Sequence, residues 1–194
     1  MNIKIDIYLV ISLAVLAFFK QIESFLIFYI FVVLHEFIHI LVAVILRIKV
    51  LEISFLPFGV NAKFNFENKK VREIIVASAG PIFSLFLAFL LREYAIENFF
   101  IFITNILPIY PLDGGRILKN LIILMIGMKN GIRIYNNLLR IFIILLLMLN
   151  IVLIIYLKSY RFIFVSLYIF QIASDELKKD KIRSQISTLL NIEI

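Results

Sequence analysis

The residues of this chain best suited to chemistry are its two histidines, which flank a glutamate in an apolar stretch. The segment Leu34–Ile40 reads LHEFIHI, so His35 and His39 are four positions apart and Glu36 directly follows the first. Positions i and i+4 of a helix share one face, so two imidazoles at this spacing can bind one Zn²⁺. Glu36 is at the edge of that face, where a carboxylate can act as general base on a water at the metal.

A third metal ligand must come from elsewhere, because the chain has neither a third histidine nor any cysteine. The candidate is Asp113, in a segment that reads NILPIYPLDGGR from Asn105 to Arg116. Two histidines and one aspartate leave a fourth position for water, which suits a catalytic zinc. Asp113 could instead pair only with Arg116, and the histidines could merely hydrogen-bond to a neighbouring helix. Asn105 could donate to a substrate carbonyl or oxyanion, or equally form an interhelical hydrogen bond.

Composition places these residues in a membrane protein. The chain has 194 residues, of which 63% are hydrophobic, and a mean hydropathy of +1.05; soluble domains are roughly 45–50% apolar. The net charge of +7 is attributed to loop residues that face anionic lipid, and no nucleic-acid partner is expected. Each carboxylate at membrane depth costs about 2.5–3.5 kcal/mol. Because Zn²⁺, Asp113 and Glu36 sum to zero charge, a metal explains why both acids are tolerated.

The apolar pattern predicts an all-α polytopic membrane protein with six transmembrane helices. Two prolines and two glycines between residues 105 and 115 break the fourth helix. Such a break persists in a bilayer only where it is buried in protein or lines a water-filled cavity. Most of the 20 lysines and arginines fall on the side of the termini, which puts both termini in the cytoplasm. The predicted spans are about 5–20, 23–47, 72–92, 95–127, 134–157 and 160–173.

Three further segments have interpretable patterns. Residues 50–66 alternate apolar and polar side chains around a turn, which predicts a short re-entrant β-hairpin at the cytoplasmic surface; an ordinary amphipathic loop fits equally well. The polar residues 174–194 are predicted to form a short cytoplasmic tail, an amphipathic helix along the membrane surface. The transmembrane core would then be residues 1–173. The small-residue run Ala77–Pro81 in the third span predicts close packing that holds the second and fourth spans together.

Together these motifs resemble the site-2 protease family of intramembrane zinc metalloproteases. The resemblance covers residues 1–173 and rests on HExxH at His35–His39, on the Gly80–Pro81 span and on NxxPxxPLDGG from Asn105. The sequence LPFG at Leu56–Gly59 resembles the subgroup of stage IV sporulation protein FB. Members of that subgroup carry a cytoplasmic CBS domain after the last span, and the roughly 20 residues that follow here are too few for one.

The resemblance implies a zinc-dependent endopeptidase that cleaves a membrane-tethered precursor in or near its transmembrane segment. It implies one Zn²⁺ per chain, a glutamate base and two residues that help to place the substrate. The residues in these roles are His35, His39 and Asp113 for the metal, Glu36 for the base, and Asn105 and Pro111 for the substrate. For the subgroup, the precursor is a pro-sigma factor in sporulation, and the location is a bacterial cell membrane such as that of the forespore.

The expected partners are a membrane-tethered protein substrate and the lipid bilayer, with room for a regulatory membrane protein or a second copy of the chain. A different class of function also fits the same residues, since in a metal or proton transporter they would form an ion path. An inactive relative that only binds membrane helices is a third interpretation. Replacing Glu36 with glutamine separates these classes, because a protease would keep its zinc and lose cleavage.

Overall fold

The fold consists of a small sheet and a series of long helices. The computed structural model describes residues 2–7, 22–56, 59–66 and 69–157. In chain order the elements are β1 (Asn2–Ile5), α1 (Ile22–Ile45), β2 (Lys49–Leu56), β3 (Gly59–Asn65), α2 (Lys70–Leu90), a 3₁₀ turn (Arg92–Tyr94), α3 (Ala95–Ile106), α4 (Asp113–Ile126) and α5 (Met128–Leu157). They belong to two compact units, an N-terminal unit, Met1–Ile106, and a C-terminal unit, Leu107–Ile194.

Four of the predicted spans coincide with described helices. The second, third and fifth correspond to α1, α2 and α5, and the fourth is broken as predicted into α3 and α4, with residues 107–112 between them. Within the described part of the chain, two helices are long and apolar enough to cross a membrane, Phe25–Ile45 and Lys70–Leu90. The first span (apart from residues 5–7), the last span and the polar tail lie outside the described residues, so the count of six stays a prediction.

A three-stranded sheet accompanies the helices. β2 and β3 pair antiparallel, as predicted for a hairpin at 50–66, with an irregularity between Val50 and Glu52. β1 pairs parallel to β2, with Ile5 opposite Phe55. The predicted class, all-α with a short β-hairpin, therefore describes the helices, β2 and β3, and misses β1. The reason is that β1 alternates polar and apolar residues over four positions only, too few to identify a strand directly before the span predicted from residue 5.

α1 ends in a hydrogen-bonded cap that directs the chain into the sheet. Arg47 N donates to Val44 O (2.9 Å) and Ile48 N donates to Ala43 O (2.8 Å), the two bonds of a Schellman motif. Arg47 adopts the left-handed conformation that the motif requires, with φ 55°. Ile48 and Ala43 are buried against Val76 of α2. The cap therefore fixes the point at which β2 leaves the helix.

Each unit has its own apolar core. In the N-terminal unit, Phe31, Leu87 and Ile101 pack together and join α1, α2 and α3. In the C-terminal unit, Ile109 and Tyr135 are at most 1% exposed and join the segment before α4 to α5. The first core joins three helices, whereas the second includes an irregular segment.

Candidate metal centre

α1 places His35 and His39 one turn apart on its buried face. Their exposed fractions are 4% and 2%, and their ring planes meet at 77° with the centroids 4.8 Å apart. The two Nε2 atoms are 3.1 Å apart. Two nitrogen ligands of one tetrahedral zinc are separated by about 3.3 Å, since each Zn–N bond is about 2.0–2.1 Å. The pair therefore has the spacing that a shared metal ion requires.

The other nitrogen of each ring is bonded to α2. His39 Nδ1 donates to the backbone oxygen of Val76 at 2.6 Å, and His35 Nδ1 is hydrogen-bonded to Ser84 Oγ at 2.8 Å. A carbonyl oxygen only accepts, so the Nδ1 of neutral His39 carries the proton and its Nε2 carries the lone pair. Partners of this kind fix the tautomer and the ring orientation of a metal-ligating histidine.

One face of α2 forms the cradle for both rings. Val76, Gly80 and Ser84 follow one another at four-residue intervals, the same spacing as the two histidines on α1. A Cβ at Gly80 would lie 2.7 Å from His35 Nε2 and closer still to His39 Nε2. Only a glycine lets the backbone of α2 pass this close to both rings, so the two helices have a matched register at this point.

The sequence predicts helix packing for the run Ala77–Pro81 and gives no role to Ser84. The structure gives Gly80 a direct place beside the histidine rings and makes Ser84 a hydrogen-bond partner. The signal that could have found Ser84 is its position four residues after Gly80 on the same helix face. A buried hydroxyl at that position needs a partner, and a histidine at matching spacing can supply one.

Glu36 connects α1 to the hairpin. Its side chain is half-buried, and its Oε1 accepts a hydrogen bond of 2.8 Å from the Ala62 amide of β3. Ala62 is paired with Ile53 of β2. In an antiparallel pair, alternate residues direct their amides away from the partner strand. Because the Ala62 amide donates to Glu36, it belongs to the outer edge of β3, and the carboxylate contacts that edge.

Asp113 lies in the C-terminal unit as the first residue of α4. It is 6% exposed, and its Oδ1 is 4.0 Å from Arg116 Nη1. The start of a helix favours a carboxylate because the first backbone amides point towards it. The alternative pairing with Arg116 is thus present as a long contact, and it involves one of the two carboxylate oxygens.

The two predicted substrate-positioning residues are on either side of the break in the fourth helix. Asn105 is half-buried in α3, and its Nδ2 donates to the Ile101 backbone oxygen at 2.9 Å. This hydrogen bond lies within one helix, in contrast to the interhelical bond weighed above. Pro111 is exposed and follows a cis peptide bond from Tyr110. A role for either residue in placing a substrate stays a prediction.

By residue type and burial, His35, His39 and Asp113 make up the group of candidate metal ligands among the described residues. Asp113 is also the one acidic side chain in the described ranges that is buried. Two imidazoles and a carboxylate are a donor set that suits zinc. The donor chemistry therefore fits a catalytic metal ion.

Comparison with known proteins agrees with this chemistry. A sequence model of peptidase family M50 matches residues 23–95, which include the histidines and α2 but not Asp113. No curated protein matches the sequence. Among solved structures, the chain is similar to the site-2 protease from Methanocaldococcus jannaschii, with a TM-score of 0.65 and 24% identity over 90% of this chain and 89% of that one. The similarity establishes a shared fold, and the family match supports a metallopeptidase.

Proposed function

We propose that this chain is a zinc-dependent intramembrane endopeptidase that hydrolyses peptide bonds in or near the transmembrane segment of a membrane-tethered precursor. The observation that carries the proposal is the arrangement of the histidine pair. Both Nδ1 atoms are hydrogen-bonded to α2, and the two Nε2 atoms are 3.1 Å apart. Hydrogen bonds to the neighbouring helix use only the Nδ1 atom of each ring. A shared metal ion explains, in addition, why both Nε2 atoms face the same point.

In this proposal His35, His39 and Asp113 hold one zinc ion per chain. When bound, the ion would supply Lewis acidity towards a water molecule and towards a carbonyl oxygen. The burial of all three side chains supports the assignment. Charge supports it as well, because a dication offsets Asp113 and Glu36, and each of these would otherwise cost about 2.5–3.5 kcal/mol at membrane depth.

Glu36 is the proposed general base. Its carboxylate would take a proton from the attacking water while the water oxygen bonds to the peptide carbon. It would then deliver that proton to the amide nitrogen as the carbon–nitrogen bond breaks, which restores the carboxylate and releases an amine and a carboxylic acid. The hydrogen bond from the Ala62 amide, at 2.8 Å, supports this role because it orients the carboxylate towards the hairpin edge.

The outer edge of β3 is the proposed place for the substrate. An extended peptide that adds to this edge would form main-chain hydrogen bonds that do not depend on its sequence, and it would pass beside Glu36. A helical substrate must unwind first, because its amides are already hydrogen-bonded. Replacing Val60 with proline removes an amide that has the same outward phase as that of Ala62, leaves the Ala62–Glu36 bond in place, and is expected to slow cleavage roughly tenfold. Unchanged cleavage would count against the edge as a docking strand.

Asn105 and Pro111 are proposed to help place the substrate beside the base. A carboxamide nitrogen carries two N–H groups, and the bond to Ile101 accounts for one of them. The second can donate to a substrate carbonyl. Pro111 is exposed and lies two residues before Asp113, the first residue of α4, which supports a contact with a peptide near the proposed ligand.

The finer proposal concerns location and precursor. Six spans with both termini in the cytoplasm of a bacterium are supported by the excess of lysine and arginine on that side. A pro-sigma factor in sporulation as the precursor is supported by the resemblance of Leu56–Gly59 to the subgroup named above. A regulatory membrane protein or a second copy of the chain is compatible with both.

The deciding experiment compares Glu36→Gln with Glu23→Gln, the same change at an exposed position of α1. Each variant is co-expressed with single-span precursors and also purified for metal analysis. Glu36→Gln is expected to keep its zinc and to lower cleavage by about 10²–10⁴-fold, the usual contribution of a general base, while Glu23→Gln behaves as wild type. The protease function would be refuted if Glu36→Gln still cleaved the precursor. It would also be refuted if the wild-type protein carried an ion flux in liposomes that Glu36→Gln abolished.

A further inference from the structure

A lysine lies buried between two tyrosine rings in the C-terminal unit. Lys119 of α4 is 8% exposed. Its Nζ is 5.0 Å from the centroid of the Tyr110 ring and 5.7 Å from that of the Tyr135 ring. Both distances are within the roughly 6 Å at which an ammonium is attracted to an aromatic face, and the attraction strengthens when the pair is desolvated. Lys119 thus joins α4 to α5 and to the segment that precedes α4.

Tyr110 is held by its backbone as well as by its ring. Its amide donates to the Tyr135 hydroxyl at 2.9 Å, and Tyr135 has no exposed surface. The same segment closes a turn in which Leu112 N donates to Ile109 O at 2.9 Å. The turn ends where α4 begins, at Asp113, so whatever fixes Tyr110 also fixes the approach to that carboxylate.

We propose that Lys119 is a positioning residue for Asp113. Its ammonium holds the Tyr110 ring, and Tyr110 fixes the turn that presents the Asp113 carboxylate. The link to the metal rests on the proposed function, in which Asp113 is a zinc ligand. The interaction of Lys119 with Tyr110 does not depend on that function, because both residues belong to the chain and the contact requires no metal ion.

Charge, rather than the length of the side chain, is the feature that the proposal requires. A methionine at position 119 would fill nearly the same volume and would suit an apolar core better than a lysine does. A buried cation is unfavourable at membrane depth unless its surroundings compensate it. If Lys119 were only a space-filling residue, Lys119→Met would leave the turn as ordered as before. If the ammonium holds the ring, the same change would release it.

The test measures amide hydrogen exchange of the 107–112 segment in metal-free protein, and then zinc retention against a chelator. Lys119→Met and Tyr110→Leu are expected to exchange about 30-fold faster, as for a desolvated cation–π pair. Both are expected to bind zinc about tenfold more weakly, as when a residue behind a ligand is lost. Lys119→Arg and Tyr110→Phe keep the cation and the ring, and are expected to restore both readouts. Lys129→Met, at an exposed lysine, is the matched control.

Wild-type exchange in Lys119→Met and Tyr110→Leu would overturn the proposal. Faster exchange with wild-type zinc affinity would overturn the link between the turn and the metal. If Lys119→Met does not fold, the contrast between Tyr110→Leu and Tyr110→Phe decides the matter. Failure of the proposed function has a different signature, because Asp113→Ala would then retain zinc whatever the exchange rates show.

Discussion

The two histidines and Asp113 are held in place by different kinds of structure. The histidines stand on one regular helix, and a second regular helix bonds both rings through Val76 and Ser84. Asp113 follows an irregular turn that a buried tyrosine and a lysine hold from neighbouring helices. A glycine permits close approach in both places, but at Gly80 the neighbours are side chains, whereas at Gly115 they are backbone.

This difference indicates which of the two regions can adjust to a substitution without loss of the fold. A histidine ring can rotate about its side-chain bonds when it is pushed, so an intrusion beside it should displace a ligand and spare the fold. A backbone turn has no such freedom, so an intrusion there should disturb the whole segment. Substitutions in the two regions should therefore separate metal binding from stability.

The largest effect is expected from Gly115→Ala. A Cβ there would lie 2.6 Å from Ile109 O and closer still to the Ile109 carbon and the Tyr110 nitrogen. Relief requires the turn to move, which breaks the bond from Tyr110 to Tyr135. We expect a loss of about 3 kcal/mol in the free energy of unfolding, seen as a lower melting temperature in detergent, together with loss of cleavage.

The matched control for Gly115→Ala is Leu121→Ala on the same helix. Leu121 is 43% exposed, so its truncation should change the free energy of unfolding in detergent by no more than about 1 kcal/mol. If Gly115→Ala melted at the wild-type temperature, the backbone turn would be able to move as easily as the histidine rings. The proposed difference between the two regions would then be wrong.

The second largest effect is expected from Gly80→Ala, and it should fall on the metal. Alanine is favoured over glycine in a helix by about 1 kcal/mol, so α2 should persist while the new methyl group displaces both rings. We expect zinc affinity to fall by at least about 100-fold, measured by competition with a chelator. Ser78→Ala is the control, since Ser78 Oγ bonds to Ile74 O of its own helix. A melting temperature that fell as far as in Gly115→Ala would contradict the comparison.

A smaller effect is expected from Ser84→Ala, which removes the partner of His35 Nδ1. Zinc affinity should fall about tenfold with little change in stability. Val76→Ala is expected to do the reverse, because the bond to His39 uses the Val76 carbonyl and not its side chain. The buried methyl groups that it removes should lower stability by about 2 kcal/mol. Equal effects of both variants on zinc affinity would argue that the rings are not held in the way the structure indicates.

The same contrast explains what the sequence could predict. A helix has a fixed period, so the shared face of His35 and His39 follows from their spacing alone. The break in the fourth helix follows from its prolines and glycines, and the hairpin follows from alternation. In each case the pattern is local, and a few neighbouring residues carry it.

The features that the sequence did not show depend on contacts distant in the chain. Ser84 is 49 residues from His35, and the register that brings them together is set by helix packing. Tyr135 lies 25 residues after Tyr110, and no periodic signal links an irregular turn to a later helix. β1 was missed for a related reason, because its partner strand lies about 50 residues away and its own alternation extends over four residues only.

The smallest expected effect concerns the sheet that carries β3 to Glu36. Glu52 of β2 accepts hydrogen bonds of 3.0 Å from Lys4 Nζ and from Ser54 Oγ. These contacts, the one from Lys4 first, hold the pKa of Glu52 below its ordinary value of 4.5. A carboxyl whose pKa is lowered by folding contributes stability above its unfolded pKa, and that stability is lost as the pH falls through the folded value.

Glu52→Gln should therefore unfold at a slightly lower temperature than wild type at pH 7, and the two curves should converge as the pH falls below about 4.5. The difference should also shrink in high salt, because the ion pairs with Lys4 and Lys63 lie at the surface. Cleavage should hardly change, since the bond from Ala62 to Glu36 uses the outer edge of β3 and not the face of the sheet. A difference in melting temperature that persisted at low pH would mean that Glu52 stabilises the sheet by packing rather than by charge. The sheet would then depend on close contacts, as the turn before Asp113 does.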